Sequence, residues 1–149
     1  MRFLFPMPLY TIPLIVAKIP PQGYHIHVEG KIQRKQVRFL LDTGASKSVI
    51  DYNFATTHFP HNRQTHTNHQ TTGLGAQIPN ASFMRLRGIH FDGYKIHPIT
   101  FALLDLSTVN QAYAEAKLHP IVAIIGGDIM RKYQMVIDYA TSTLSFRVK

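Results

Sequence analysis

The most informative segment of the sequence is Phe39-Leu40-Leu41-Asp42-Thr43-Gly44-Ala45-Ser46. Three large apolar residues end at a carboxylate, and Gly44 permits a sharp reversal of the chain. A carboxylate at the end of a buried strand is tolerated where it is hydrogen-bonded or shares a proton. We expect Ser46 to hydrogen-bond either the backbone or the carboxylate of Asp42. On this segment alone, a rigidly presented Asp42 and an ordinary turn between two strands are equally good interpretations.

A second apolar segment broken by glycine lies well downstream, at Ile121-Val122-Ala123-Ile124-Ile125-Gly126-Gly127-Asp128. It is followed by the apolar run Met135-Val136-Ile137-Asp138-Tyr139 and then by Thr143-Leu144-Ser145-Phe146. This repetition of a buried run that stops at glycine shifts the balance toward the rigid presentation of Asp42.

Short β-rich runs separated by Gly and Pro make up most of the remaining chain. Strands are predicted at 12–19, 24–28, 37–41, 49–54, 83–89, 94–104, 121–125, 135–139 and 143–148. Helices are predicted at 107–118, with Ser107 or Thr108 as the N-cap, and in a short turn capped by Asp128. Residues 58–70 are polar and predict a loop or an exposed hairpin. We expect one mostly β domain over residues 1–149, with residues 1–11 as a flexible arm.

The composition limits the compartment and the chemistry. Hydrophobic residues make up 45% and charged residues 16% of 149 residues, which favours a globular domain with a real core over a disordered chain. The absence of cysteine excludes disulfides, thiolate metal sites and a cysteine nucleophile. It fits a reducing, cytoplasmic location, although exported proteins can also lack cysteine. The apolar residues 1–17 are interrupted by three prolines, which favours an extended arm and a strand over a processed leader or a membrane helix.

The net charge of +8 comes from sixteen basic and eight acidic residues that are scattered along the chain. Such a charge attracts nucleic acid or an acidic partner. However, no interleaving of aromatic and basic residues suggests stacking of single-stranded bases. An ordinary charged surface is the simpler interpretation, and nucleic acid stays an alternative partner.

Several polar residues outside the Asp42 segment invite other functions. Four histidines lie in one short stretch, at His58, His61, His66 and His69. Their spacing suggests zinc or copper, but no acidic ligand lies between them, so we expect an exposed loop, no metal and no other cofactor. His25 and His27 fall on one face of a strand and are expected at the surface or half-buried. Asp138 is expected to pair with Arg131 or Lys132.

The order of these motifs resembles that of the retropepsin-type aspartic proteases, which include the retroviral proteases and single-domain bacterial relatives. Apolar-apolar-Asp42-Thr43-Gly44 is followed by a glycine-bearing hairpin and then by apolar-apolar-Gly126. The likeness covers roughly residues 12–148. It implies an all-β fold, the half-barrel of the acid proteases with a flap hairpin and one or two short helices, which is active as a dimer.

The resemblance also implies a role for each residue of the first segment. Asp42 would be the catalytic aspartate, and Thr43 would join the hydrogen-bonded grip between the active-site loops of a dimer. Gly44 would let substrate and water approach the backbone, and Ala45 and Ser46 would complete the loop. Ala45 offers the carboxylate no hydroxyl, which predicts a working pH that is mildly acidic to neutral.

Other residues would surround that loop. Ile125 and Gly126 would pack behind the active site, and the flap tip would consist of Gly73, Leu74 and Gly75. Gly127 departs from the pattern, because the retroviral enzymes usually carry there an arginine that braces the dimer.

Peptide hydrolysis by this route needs two carboxylates that share one proton around one water molecule. No acidic residue other than Asp42 is followed by Thr-Gly or Ser-Gly. We therefore expect a symmetric homodimer acting on extended, largely apolar segments of a peptide or protein substrate, with no membrane partner. A catalytically silent module of the same fold, which binds peptides or dimerises, is the alternative.

Overall fold

The computed structural model describes residues 6–21, 23–66, 71–73, 76–78 and 81–148, and of 71–73 and 76–78 only the backbone. Its first strands are β1 (Leu9–Pro13), β2 (Ile15–Ile19), β3 (Gly23–Ile32), β4 (Lys35–Leu41), β5 (Val49–Asp51), β6 (Gln64–His66), β7 (Thr71–Gly73) and β8 (Ala76–Ile78). The later strands are β9 (Ser82–Leu86), β10 (Ile89–Phe91), β11 (Tyr94–Lys95), β12 (Ile99–Leu104), β13 (Ala123–Ile125), β14 (Val136–Asp138) and β15 (Thr143–Arg147). The described helices are α1 (Tyr52–His58), α2 (Ser107–Glu115) and α3 (Gly127–Lys132).

One large sheet carries the architecture, and its strand order is β11-β10-β3-β4-β13-β5-β12-β9-β6, with β2 added beside β3. Two smaller sheets are formed by β1-β15-β14 and by β7-β8. In the middle of the large sheet β13 runs parallel to β4 and antiparallel to β5. The chain segments that follow β4 and β13 therefore lie side by side. The mostly β prediction is confirmed.

The strand predicted at 12–19 is divided into β1 and β2. Leu14 lies between them, and its N–H donates to the Ser142 carbonyl at 2.8 Å. β1 pairs with β15, whereas β2 pairs with β3. Residues 9–11, which we expected in a flexible arm, consequently lie in a paired strand.

Helix α1 was not predicted, and the strand expected at 49–54 was wrong beyond residue 51. Asp51 ends β5, and its Oδ2 accepts the Phe54 N–H at 2.9 Å as the helix N-cap. Its Oδ1 accepts the Leu106 N–H at 2.9 Å. One carboxylate thus begins α1 and holds the chain just before α2. None of the described helices is long and apolar enough to cross a membrane.

The predicted helix caps were also wrong. Leu106 occupies the N-cap position of α2, and the Asp105 carboxylate accepts the Ser107 N–H at 2.9 Å. Gly126 occupies the N-cap position of α3, so Asp128 lies inside the first turn. From this position after the N-cap, the Asp128 carboxylate accepts the Ile129 N–H at 2.9 Å.

Asp138 does not pair with Arg131 or Lys132 in the part of the chain that the structure describes. Its Oδ1 accepts the backbone N–H groups of Ala140 and Thr141 at 2.8 and 3.2 Å. These hydrogen bonds hold the pKa of the Asp138 carboxyl below its usual value, and the bond from Thr141 has the largest effect. The residue stabilises the turn between β14 and β15.

The core is divided by the alternation of β3. Ile26 and Val28 face the main hydrophobic core. A smaller cluster on the opposite side contains Leu40, Leu106, Tyr113 and Ile121. His27 lies on this second side with no exposed surface, and His25 is half-buried. The expectation that both are at or near the surface was wrong for His27, because α2 covers this face of the sheet.

Candidate active site

Asp42 follows the last residue of β4 and lies at the surface of the described chain. Its N–H donates to the Ile125 carbonyl at 3.0 Å, and its own carbonyl accepts the Ala45 N–H at 3.1 Å. The Gly44 N–H donates to Oδ1 of its side chain at 2.9 Å. The backbone is therefore tied to β13, and one carboxylate oxygen has a fixed orientation.

The loop after Asp42 packs directly against the end of β13. The Gly127 N–H donates to the Ala45 carbonyl at 2.7 Å. A Cβ at Gly126 would stand 2.5 Å from that carbonyl oxygen and 3.1 Å from the carbonyl carbon of Lys47. Position 126 thus requires glycine because two backbone segments approach each other there.

Ser48 and Asp128 hold the far side of the loop, although they lie 80 residues apart. Oδ1 of Asp128 accepts the Ser48 N–H at 3.0 Å and the Ser48 hydroxyl at 2.7 Å. The Ser48 Oγ in turn accepts the Gly126 N–H at 2.9 Å. Lys47 Nζ lies 3.3 Å from Oδ2 of Asp128 and completes the network. Sequence reasoning missed Ser48, whose only local signal was a polar residue directly before β5.

The other predicted loop residues are more accessible. Thr43, Gly44 and Ser46 are exposed, and Ala45 is half-buried. No hydrogen bond of the Thr43 or Ser46 side chain is formed within the described ranges. The hydroxyl that fixes the loop belongs to Ser48, which corrects the expectation for Ser46.

A cleft of about 580 Å³ opens beside Asp42. Its walls combine aliphatic side chains with polar groups and come from β3, β4, α2, β13, β14 and the Asp42 loop. The lining residues include Leu40, Val109, Ile124 and Ile137. Asp42 is the one carboxylate among the described residues that line it.

His25 also lines this cleft, and two buried residues hold it. Its Nδ1 lies 2.6 Å from the Tyr113 Oη, which lies 2.8 Å from Nε2 of His27. Burial, with the charge of Arg38 and the neighbouring His25 as smaller causes, lowers the pKa of His27 from 6.5 to about 4. With this pKa, His27 is neutral near neutral pH. Burial also raises the pKa of Tyr113 to about 12.

The predicted flap falls largely outside the described residues. Gly73 ends β7 and pairs with Ala76 of the antiparallel strand β8. Leu74 and Gly75 lie outside the described residues, as does His69 of the histidine stretch. Within the described ranges no group of three metal-binding side chains occurs.

A family model for aspartyl proteases matches residues 28–129, which is more than half of the chain. The chain belongs to the aspartyl protease family. The match spans both the Asp42 segment and the segment that ends at Gly126.

Two solved structures are similar to this family member in fold. The crystal structure of a retropepsin-like aspartic protease from Rickettsia conorii superposes with a TM-score of 0.57 at 12% identity, covering 99% of this chain and 98% of that one. The retroviral protease-like domain of Ddi1 from Leishmania major gives a TM-score of 0.51 at 18% identity, covering 79% and 84%. A comparison with curated proteins found no match. The retropepsin-like fold predicted from the motif order is confirmed.

Proposed function

We propose that this aspartyl protease family member is an aspartic endopeptidase that works as a homodimer, in which each chain of one domain supplies Asp42. The observation that carries this proposal is the placement of Asp42. It stands exposed beside a cleft with aliphatic side chains in its walls, on a loop fixed by the Gly126 backbone and by the bonds between Ser48 and Asp128.

The chemistry follows from two such carboxylates facing one water molecule. Two adjacent negative charges cannot both persist at low cost, so the pair holds one proton. The unprotonated carboxylate takes a proton from water, which attacks the peptide carbonyl, while the protonated carboxyl donates to the developing oxyanion. Gly44 holds Oδ1 of Asp42, and Oδ2 accepts no hydrogen bond from the described part of the chain. Oδ2 is therefore the oxygen available to water.

The surface around Thr43 supports a second copy as the source of the other carboxylate. A groove of about 580 Å³ lies beside Thr43, and its lining includes Met130, Met135 and Ile137. Val136 of the edge strand β14 is 58% exposed next to it. Apolar surface and an accessible threonine hydroxyl on the active-site side suit a symmetric interface through which the two loops meet.

The substrate class that suits the cleft is an extended, largely apolar peptide segment. Aliphatic side chains form a large part of the walls. The flap predicted at Gly73, Leu74 and Gly75, next to the paired strands β7 and β8, would cover the peptide. The absence of a hydroxyl at Ala45 favours activity at mildly acidic to neutral pH.

Cleavage of a complex peptide library, read by mass spectrometry from mildly acidic to neutral pH, tests this function. The wild-type protein should produce cuts that Asp42→Asn does not produce. The matched control is Asp92→Asn, because Asp92 is an exposed aspartate in the turn between β10 and β11, away from the cleft. Cuts that survive in Asp42→Asn would refute the catalytic role. A dimer that cuts nothing would instead favour a peptide-binding module of the same fold.

A further inference from the structure

We propose that His25, held in place by Tyr113 and His27, makes one subsite of the cleft selective for substrate side chains with a hydrogen-bond-accepting oxygen, either an amide or a carboxylate. This rests on the proposed function, because it specifies which peptides the cleft binds.

His25 lies next to the proposed catalytic residue. The pairing of β3 with β4 ends with Ile26 opposite Leu41, and His25 and Asp42 are the residues next to this last pair. Both residues line the cleft of about 580 Å³. Apart from the active-site loop and two largely exposed tyrosines, the described lining is aliphatic. His25 is therefore a polar group in an apolar wall, close to the bond that would be cut.

The His25 ring is held from behind by a buried hydroxyl. Its Nδ1 is 2.6 Å from the Tyr113 Oη, and Tyr113 is only 1% exposed. The same oxygen is 2.8 Å from Nε2 of the fully buried His27. Since Nδ1 of His25 faces Tyr113, the ring nitrogen left for the cleft is Nε2.

The proton positions follow from the inventory of donors and acceptors. A phenol carries one proton, so Tyr113 donates to one imidazole and accepts from the other. Nδ1 of His27 is buried and has no hydrogen-bond partner. A buried N–H without an acceptor is rarer in proteins than a buried acceptor without a donor. Nδ1 of His27 is therefore assigned as unprotonated, and its Nε2 carries the N–H that donates to Tyr113.

The remaining assignments are then determined. Tyr113 donates its proton to Nδ1 of His25, so His25 carries its own proton on Nε2 and presents an N–H to the cleft. A bound peptide displaces the water at this N–H. A substrate oxygen restores the hydrogen bond, whereas an aliphatic side chain leaves the donor unpaired. The hydrogen bond gained or lost at this N–H should make the affinity for a Gln or Glu peptide higher than that for a Leu peptide, on the order of tenfold.

Binding of non-hydrolysable peptides tests the subsite separately from catalysis. In each peptide a hydroxyethylene group replaces the scissile amide, and one flanking position at a time is Gln, Glu or Leu. Calorimetric Kd values for the wild-type protein should show about tenfold tighter binding of Gln or Glu than of Leu at one position. His25→Leu should abolish that preference. His119→Leu is the control, because His119 is exposed and lines a different groove.

Two further variants separate positioning from structure. Tyr113→Phe keeps the aromatic ring but frees His25, so the preference should fall while the affinity for the Leu peptide stays unchanged. His25→Gln keeps an N–H donor on this strand and should retain part of the preference, which also covers a failure of His25→Leu to fold.

The outcomes are distinct. A preference at no position, a preference that persists in His25→Leu, or no binding of any peptide overturns the subsite. Library cleavage without an oxygen preference would refute the subsite and leave the protease function standing. An oxygen preference without any cleavage would support the subsite and refute the catalysis. If the Gln and Glu peptides both bind more tightly than the Leu peptide by the same factor, a neutral oxygen acceptor is sufficient. If only the Glu peptide binds more tightly, the subsite selects a carboxylate.

Discussion

The α-carbon of Gly126 lies so close to Ala45 that a Cβ added at position 126 would stand 2.5 Å from the Ala45 carbonyl oxygen. At the neighbouring Gly127 the same construction gives 3.6 Å, an ordinary contact. Two adjacent glycines therefore differ in what they tolerate, and the first of them determines how near the Asp42 loop lies to β13.

Gly126→Ala should displace the loop and reduce cleavage of a library-derived peptide at least tenfold, because a shift of the reacting groups by a fraction of an ångström is costly. Its unfolding temperature should also fall, since backbone atoms must move to admit the methyl group. Gly127→Ala is the matched control and should change both quantities little. Equal effects of the two substitutions would contradict this account of the loop.

Ser48→Ala should lower the free energy of unfolding by about 1–3 kcal/mol, because it leaves the buried Gly126 N–H without its acceptor and removes a donor from Asp128. Urea denaturation followed by circular dichroism measures this change. Ser46→Ala removes an exposed hydroxyl from the same loop and should leave stability nearly unchanged. A large loss in Ser46→Ala, or none in Ser48→Ala, would show that the loop is fixed differently.

The stability of the protein should decline as the pH falls from 6.5 toward 4, and His27 should cause part of that decline. The unfolded chain binds a proton at His27 near the ordinary pKa of 6.5, whereas the folded chain resists it until about 4. Above this window the residue is neutral in both states and contributes no pH dependence. In His27→Gln, whose amide nitrogen can replace Nε2, urea midpoints measured between pH 7 and pH 4 should fall less steeply. Parallel curves for the two proteins would exclude His27 as the titrating group.

A mixture of wild-type and Asp42→Asn chains tests whether the active site is shared. After equal amounts have exchanged subunits, about one quarter of the dimers contain two intact aspartates, so activity should fall to about one quarter of that of the same total amount of wild-type chains. Chains that each carried a complete site would retain about one half. Wild-type protein diluted twofold with buffer alone is the control for non-specific loss.

Local patterns in the sequence were sufficient for the fold and for the position of the central carboxylate. Alternation in β3, the apolar run of β4 that stops at Asp42 and the run of β13 that stops at Gly126 each depend on neighbouring residues, and each predicted element is present. The family follows from the same two segments, which both fall within residues 28–129.

Other features required the tertiary structure, because they depend on residues far apart in the sequence. The sequence predicts Asp51 as part of a strand, whereas in the structure its carboxylate accepts the N–H groups of Phe54 and Leu106. The sequence predicts His27 at the surface or half-buried. In the structure it is buried, because α2 brings Tyr113, 86 positions away, onto the same face of the sheet.

Ser48 and Asp128 follow the same rule, since neither has a local pattern that points to the other. Hydrogen bonds within a turn are encoded by short-range sequence, and the sequence alone determined where Asp42 stands in the chain. The burial of a polar side chain depends on which distant element covers it, and only the packing of α2 and α3 against the sheet decided which residues hold Asp42 and His25 in place.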